Sequence, residues 1–383
     1  MRVGIVGGGQ LGQMLALAAI PLGHDVLVLS DDPGGPASHI AHAIFGKYGD
    51  EKILAEFTAK IDVATCEFEH VPQEALQFIE TRSPLRPGLR SMAIASDRWL
   101  EKEHFRSLGI PTSLFQKVDS VAELKAAIKH LGLPILLKTR RFGYDGKGQR
   151  LISNEKEIET AFFALGGEPL IAEQFVAFER ELSMIGVRTM GGAIFTYPMV
   201  QNLHHEGILF CTIAPAPEVP THIELEVREA LCTLLESLDH VGVLTLELFQ
   251  TKEGWLANEI APRVHNSGHF SIEGATISQF EAHIRAITGD PLSQPMLRGV
   301  SVMVNLIGAV PPREDILAID GVHLHLYGKS PRPGRKLGHV TICGESWEEL
   351  LPRLEKLIAL VESTQQITAL TPPPSQPPFG GEG

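Results

Sequence analysis

Glu247, in Val-Gly-Val-Leu-Thr-Leu-Glu-Leu-Phe, and Glu259, in Trp-Leu-Ala-Asn-Glu-Ile, flank the turn residues Lys252-Glu253-Gly254. With a three-residue turn closing a hairpin, Thr251 opposes Trp255, Phe249 opposes Ala257, and Glu247 opposes Glu259. Like charges facing across a ladder repel unless a cation lies between them. Paired hard oxygens suit magnesium, which takes one or two carboxylates and completes its shell with nucleotide phosphates. The alternative at this stage is an edge hairpin with both acids in water.

A second cluster, Lys138-Thr-Arg-Arg-Phe-Gly143-Tyr144-Asp145-Gly146-Lys147-Gly148-Gln149, sets a lysine at the end of an apolar strand and then three glycines within six residues. The lysine can hold α- or β-phosphate oxygens, and the glycines let a loop fold its amides over them. No Gly-Lys-Ser/Thr opens a helix, so this is not a Walker A loop. A third signal, Gly7-Gly8-Gly9-Gln10-Leu11-Gly12, satisfies G-x-G-x-x-G directly after a strand, with Asp31-Asp32 about twenty residues on. Read alone it suggests NAD; read physically it is a helix N-terminus that suits any phosphate.

Weaker signals lie between and after these. Glu173-Gln174-Phe175-Val176 offers strand backbone to an adenine edge, and Glu181 could reach ribose hydroxyls. Arg263, His265, Asn266 and His269 crowd an irregular segment after Glu259, where binding groups often collect. Lys329, Arg332, Arg335 and Lys336 pack four cations into eight residues of a chain whose net charge is -13. That balance argues against nucleic-acid or anionic-membrane partners, so phosphate must meet a local basic patch.

The elements that must position these groups follow from pattern. Val3 to Val6, Val26 to Ser30 and Ile61 to Phe68 read as strands alternating with a helix over Leu11 to Leu22, which predicts a doubly wound parallel sheet. A boundary falls at Ser91 to Asp97, before a helix through Leu108. Strands Ile135 to Thr139, Leu170 to Val176 and Glu181 to Arg188 suit a small α+β lid. Strands at Val302 to Ile307, His323 to Tyr327 and His339 to Cys343 open a third unit, closed by a helix from Trp347. At 383 residues two or three domains are expected. Cys66, Cys211, Cys232 and Cys343 show no zinc spacing and read as reduced thiols. No targeting pattern and no run of membrane-spanning length stands out, which predicts a cytoplasmic enzyme.

Taken in order, the glycine turn, Glu67-Phe68-Glu69, Gly-Tyr-Asp-Gly-Lys-Gly-Gln, Glu-Gln-Phe-Val, Asn202-Leu203-His204 with Gly207-Ile208-Leu209, Asn258 to His269, and Arg-Pro-Gly-Arg-Lys resemble the carboxyaminoimidazole ribonucleotide synthetases of the ATP-grasp superfamily. The resemblance implies an ATP-grasp fold of mixed α/β and α+β class: a Rossmann-like domain over 1–96, an ATP-grasp domain over 97–300 with a lid near 112–190, a small domain over 301–370 and a disordered tail at 371–383. By the same resemblance Arg98, Lys138, Gly143 to Gln149, Glu173 to Val176, Glu181, His204, Asn258 and Glu259 hold ATP. Glu247 and Glu259 hold Mg2+, or Mn2+ in its place.

The resemblance sets Tyr144, Asp145, Lys147, Arg263 and His265 at the reaction centre, with Asp145 orienting the amine or taking its proton. Gly9, Gln10, Leu11, Glu69, Asn266, Lys329, Arg332, Arg335 and Lys336 bind the ribonucleotide. The implied activity is ATP-dependent carboxylation of aminoimidazole ribonucleotide by bicarbonate through carboxyphosphate, in a homodimer. Phe142 stands where the family more often has glycine, which predicts a stiffer loop or one packed on an apolar surface. Other readings open at this point are a formate-dependent transformylase, a biotin carboxylase, an NAD-dependent dehydrogenase and a non-catalytic nucleotide sensor.

Overall fold

The computed structural model describes residues 1–143, 146–167 and 169–365. Tyr144, Asp145 and the tail at 371–383 lie outside the described residues. Strands Arg2–Val6, Asp25–Ser30, His42–Phe45 and Val63–Cys66 form a four-stranded parallel sheet with Arg2–Val6 inside it. Val3, Ile5, Val6, Val28, Leu29 and Val63 are all fully buried, an unbroken apolar run because both faces of a parallel sheet are covered. The strand predicted through Phe68 is shorter. It ends at Cys66; the Glu67 amide still donates to Val6 O at 3.0 Å, while its side chain turns back towards the glycine turn.

Helix Gln10–Ala19 buries Met14 and Leu15 in a core shared with Ile284 and Ile287 of helix Gln279–Thr288. A buried contact from Thr65 Oγ1 to His283 Nε2 at 2.8 Å ties the same two regions together. Asp97 caps helix Arg98–Ser107, accepting the Trp99 and Leu100 amides. It also takes Arg140 at 2.8 Å and Arg141 at 3.1 Å, so the helix start is fixed to the strand that leads into the second glycine cluster.

That strand, Ile135–Thr139, lies in an antiparallel sheet with Phe115–Val118, Leu170–Gln174 and Gln149–Ile152. A larger sheet runs from the hairpin Gly242–Thr251 and Gly254–Ala261 through Arg180–Arg188, Val200–His205 and Ile208–Ala214. It then continues without a break into Val300–Ile307, Lys336–Gly344 and Val322–Leu326, because Cys211 pairs with Val304. The strands after residue 300 are therefore added to the central sheet. Helix Trp347–Gln365 covers them with Leu350, Leu354, Leu357 and Val361, one face of a helical repeat. No helix among the described residues is long and apolar enough to cross a membrane.

Candidate active site

The hairpin bearing the two glutamates forms, but in a register different from the one the turn length predicts. Thr251 pairs with Gly254 across Lys252 and Glu253, and Phe249 faces Leu256 rather than Ala257. Gly254, at φ +144, permits this tighter turn. A bulge between Glu247 and Leu248 then leaves Asn258 as the extra residue and restores Glu247 opposite Glu259. The acids face each other because one missing turn residue is made up by one bulged residue.

Both line a cavity of about 1070 Å³, and each meets a basic side chain. His265 Nε2 lies 2.9 Å from Glu247, and Arg98 lies 2.6 Å from Glu259. Burial alone would raise the Glu247 carboxyl, but His265, with His204 and Lys336 further off, outweighs it and holds the group at about 2. At the bulge, Asn258 Oδ1 is buried with no hydrogen-bond partner among the described residues. Two facing carboxylates and an unpaired amide oxygen form a donor set that fits a hard divalent cation. Among the described residues no group of three or more His, Cys, Asp or Glu is placed to hold a metal, so phosphate oxygens would have to complete the shell.

On one side of the acids lie the groups assigned to the nucleotide. Lys138 is buried and ion-paired at 3.1 Å with Glu173, which also meets Lys102 at 3.4 Å. Burial would raise the Glu173 carboxyl, but the two lysines and Arg98 hold it at about 2. Gly143, Gly146, Lys147 and Gln149 line the cavity, whereas Gly148 lies against the Thr139 side chain. His204 and Glu181 form an ion pair on the wall. Burial would lower the His204 imidazole, yet its hydrogen bond to Glu181 leaves it raised.

Glu173, Gln174, Phe175 and Val176 are not on the cavity wall. The Gln174 amide donates to Leu114 at 2.8 Å and the Phe175 amide to Pro134 at 3.2 Å, so neither is open to an adenine edge in this arrangement. Phe142 corrects another expectation. It is 70% exposed rather than packed on an apolar surface, and its φ of +63 lies in the left-handed region.

On the other side lie the groups assigned to the ribonucleotide. Arg263 donates to Glu69 at 2.7 Å. Burial would raise the Glu69 carboxyl, and the guanidinium holds it at about 2 instead. His265 Nδ1 meets Ser267 Oγ at 2.8 Å, while Asn266 and Asn305 exchange amide hydrogen bonds at 2.8 and 3.1 Å. Lys329 reaches Gln10, and Arg332, Arg335 and Lys336 share the same wall. The glycine turn differs from expectation at one atom. The Gly9 amide donates to Glu67 at 2.5 Å and the Gly12 amide to the same carboxylate at 2.7 Å. That leaves the amides of Gln10 and Leu11, which have no intrahelical partner in a first turn, for a ligand's phosphate.

Three residues given no role by sequence prove central. Glu67 fills the glycine turn. Glu101 accepts the Ile260 amide at 2.6 Å beside Glu259, and Lys102 bonds Thr112 Oγ1 at 2.9 Å besides meeting Glu173. A signal for Glu101 exists: it sits four residues before the buried Phe105, so a helix places it on the inward face.

The chain matches three family models in order: the ribonucleotide synthetase preATP-grasp domain over residues 1–96, the ATP-grasp domain over 103–280 and the phosphoribosylaminoimidazole carboxylase C-terminal domain over 301–353. It is 44% identical to the N5-carboxyaminoimidazole ribonucleotide synthase of Pseudomonas aeruginosa, over 95% of this chain and 100% of the relative. The Bacillus subtilis enzyme of the same name is 37% identical, over 92% and 94%. The crystal structure of the Thermus thermophilus synthetase superposes with a TM-score of 0.91 at 45% identity, covering 96% of this chain and 99% of that one. The Aspergillus clavatus synthase in complex with ADP and 5-aminoimidazole ribonucleotide superposes at 0.87 with 32% identity, covering 94% and 98%. With relatives of this identity over nearly its whole length, and a cavity that sets paired carboxylates between two basic walls, the chain belongs to the N5-carboxyaminoimidazole ribonucleotide synthase family of ATP-grasp ligases.

Proposed function

We propose that this chain uses ATP to carboxylate 5-aminoimidazole ribonucleotide with bicarbonate, giving the N-carboxylated ribonucleotide, ADP and phosphate in purine synthesis. The observation that carries the reading is one cavity lined by the facing Glu247 and Glu259, by a wall of Lys138 and the glycine loop, and by a wall of Arg263 and Lys329. A nucleotide on the first wall points its phosphates at the acids, and a ribonucleotide on the second brings its amine to the same place. A relative of the same fold holds ADP and this ribonucleotide together.

Bicarbonate is a poor electrophile, so its oxygen first attacks the γ-phosphorus while the bond from that phosphorus to the β-bridging oxygen breaks. The products are carboxyphosphate and ADP. Glu247, Glu259 and Asn258 would hold Mg2+, or Mn2+, which when bound neutralises charge on the transferring phosphoryl group. Lys138 and Lys147 hold phosphate oxygens, and Glu181 with His204 faces the ribose. The exocyclic amine of the ribonucleotide then attacks the carboxyl carbon, or carbon dioxide released from it, and phosphate departs with the C–O bond. The amine's proton passes to a base, for which Asp145 is the proposed residue. Arg263, held by Glu69, and His265 are the proposed bicarbonate ligands, and Gln10, Leu11, Lys329, Arg332, Arg335 and Lys336 take the ribonucleotide phosphate. A homodimer in the cytoplasm belongs to the same proposal, carried over from the resemblance.

ADP release is the measurement, with ATP, magnesium, bicarbonate and aminoimidazole ribonucleotide omitted one at a time. The proposal expects release to collapse in each omission. Release that ignores the aminoimidazole would overturn the substrate while leaving the ligase class in place.

A further inference from the structure

Phe142 combines two unfavourable features. A non-glycine residue at φ +63 costs about 1 kcal/mol, and the ring it carries is 70% exposed. Strain together with an exposed apolar group at the rim of a site points to a use in binding. The ring is not loose, however. Its centroid lies 5.0 Å from that of the His70 imidazole at an interplanar angle of 48°, and both rings line the cavity. Burial holds the His70 imidazole below its ordinary value, so it is a neutral, flat neighbour near pH 7.

The position relative to the two walls is specific. His70 follows Glu69, whose carboxylate holds Arg263 at 2.7 Å on the substrate side. Gly143, directly after Phe142, turns its carbonyl towards Arg98 at 3.5 Å, and Arg98 grips Glu259 at 2.6 Å on the metal side. The ring therefore lies between segments that hold Arg263 on one side and Glu259 on the other. An apolar plane cannot hold phosphate or bicarbonate. It can cover a flat heterocycle and keep water from what reacts beneath it.

We propose that Phe142 packs on the aminoimidazole ring of the substrate, setting its affinity and shielding carboxyphosphate from water. The inference rests on the carboxylation reading above. Water that reached carboxyphosphate would return bicarbonate and inorganic phosphate, leaving an ADP with no carboxylated product to match it.

The test uses the full chain and compares Phe142→Gly, which removes the ring and accepts the positive φ, with Phe142→Tyr, which keeps a ring. Phe142→Gly should raise the KM for aminoimidazole ribonucleotide about fivefold, the fold-change expected for a lost aromatic contact. ADP formed per carboxylated product should rise well above one, with the KM for ATP and the melting temperature not impaired. Phe142→Tyr should restore affinity and coupling. The proposal is overturned if Phe142→Gly keeps the substrate KM and coupling of the parent, or if the KM for ATP rises by the same factor. A parent enzyme whose ADP release needs no aminoimidazole would instead sink the carboxylation reading.

Discussion

The chain carries two glycine-rich turns, and they solve opposite problems. In the turn from Gly7 to Gly12, a Cβ on Gly7 would meet the Glu67 side chain at 2.3 Å, and one on Gly9 would meet it at 2.7 Å. These glycines are needed so that the backbone can close around a carboxylate belonging to the chain itself. Among the described residues from Gly143 to Gly148, the groups nearest the glycines are the Thr139 hydroxyl, the Arg98 guanidinium and neighbouring backbone, not a carboxylate. Gly146, at φ +72, lies against the backbone of Glu206 and Gly207, and Lys147 lines the open cavity. Both turns border the same cavity, but the first is partly filled by the chain's own Glu67 carboxylate, which takes the Gly9 and Gly12 amides. The lesson is that glycines report close approach, and only the tertiary structure says what approaches. It also answers the dehydrogenase reading, since the amides of Gly9 and Gly12 that a dinucleotide pyrophosphate would use already hold Glu67.

The comparison can be broken at its open end first. Glu259→Gln weakens the proposed metal site beside the open loop, and ADP release at saturating substrates should fall about a thousandfold. The urea midpoint should move little, because the Glu259 side chain is 36% exposed and its ion pair with Arg98 is worth about 1 kcal/mol. A large loss of stability with modest loss of turnover would show that Glu259 is structural. The filled turn should behave the other way. Glu67→Ala leaves two amides without their acceptor and should cost about 2 kcal/mol of stability, read from urea unfolding. An unchanged midpoint would mean that the carboxylate is not what the glycines are built around.

The smallest effect lies at the border of the filled turn. Burial, reinforced by Arg335, holds the Lys329 ammonium down at about 8. Lys329 is charged below that pH and neutral above it, so its attraction for the ribonucleotide phosphate is present at neutral pH and is lost as pH rises through about 8. The kcat/KM for aminoimidazole ribonucleotide should fall up to about tenfold by pH 9, while that for ATP should not follow it. Lys329→Arg, which stays charged, should flatten the profile. An equal fall for both substrates would assign the titration elsewhere.

Much of the architecture was legible in local pattern. The buried runs at Val3 to Val6 and Ile135 to Thr139, the capped helix after Asp97 and the covering helix from Trp347 all follow from periodicity and end signals. The continuity of the central sheet past residue 300 was not legible, because the partners Cys211 and Val304 are 93 positions apart and neither carries a mark of the other. The site divides in the same way. Paired acids, a lysine before glycines and a basic cluster announce themselves by type and spacing, but the pairing of Glu247 with Glu259 depends on a bulge that compensates a shorter turn.

By itself the sequence determined which residue types would meet phosphate, metal and carboxylate chemistry, and which segments would be strands or helices, because charge, glycine content and hydrophobic period are local properties. Only the tertiary structure decided which partner each group meets. It turned Glu67 into the glycine turn, set Glu173 between two lysines, and left the ring of Phe142 at the border of the cavity. Those outcomes depend on packing and register between segments far apart in the chain, where a shift of one residue reverses which side of a strand faces the cavity.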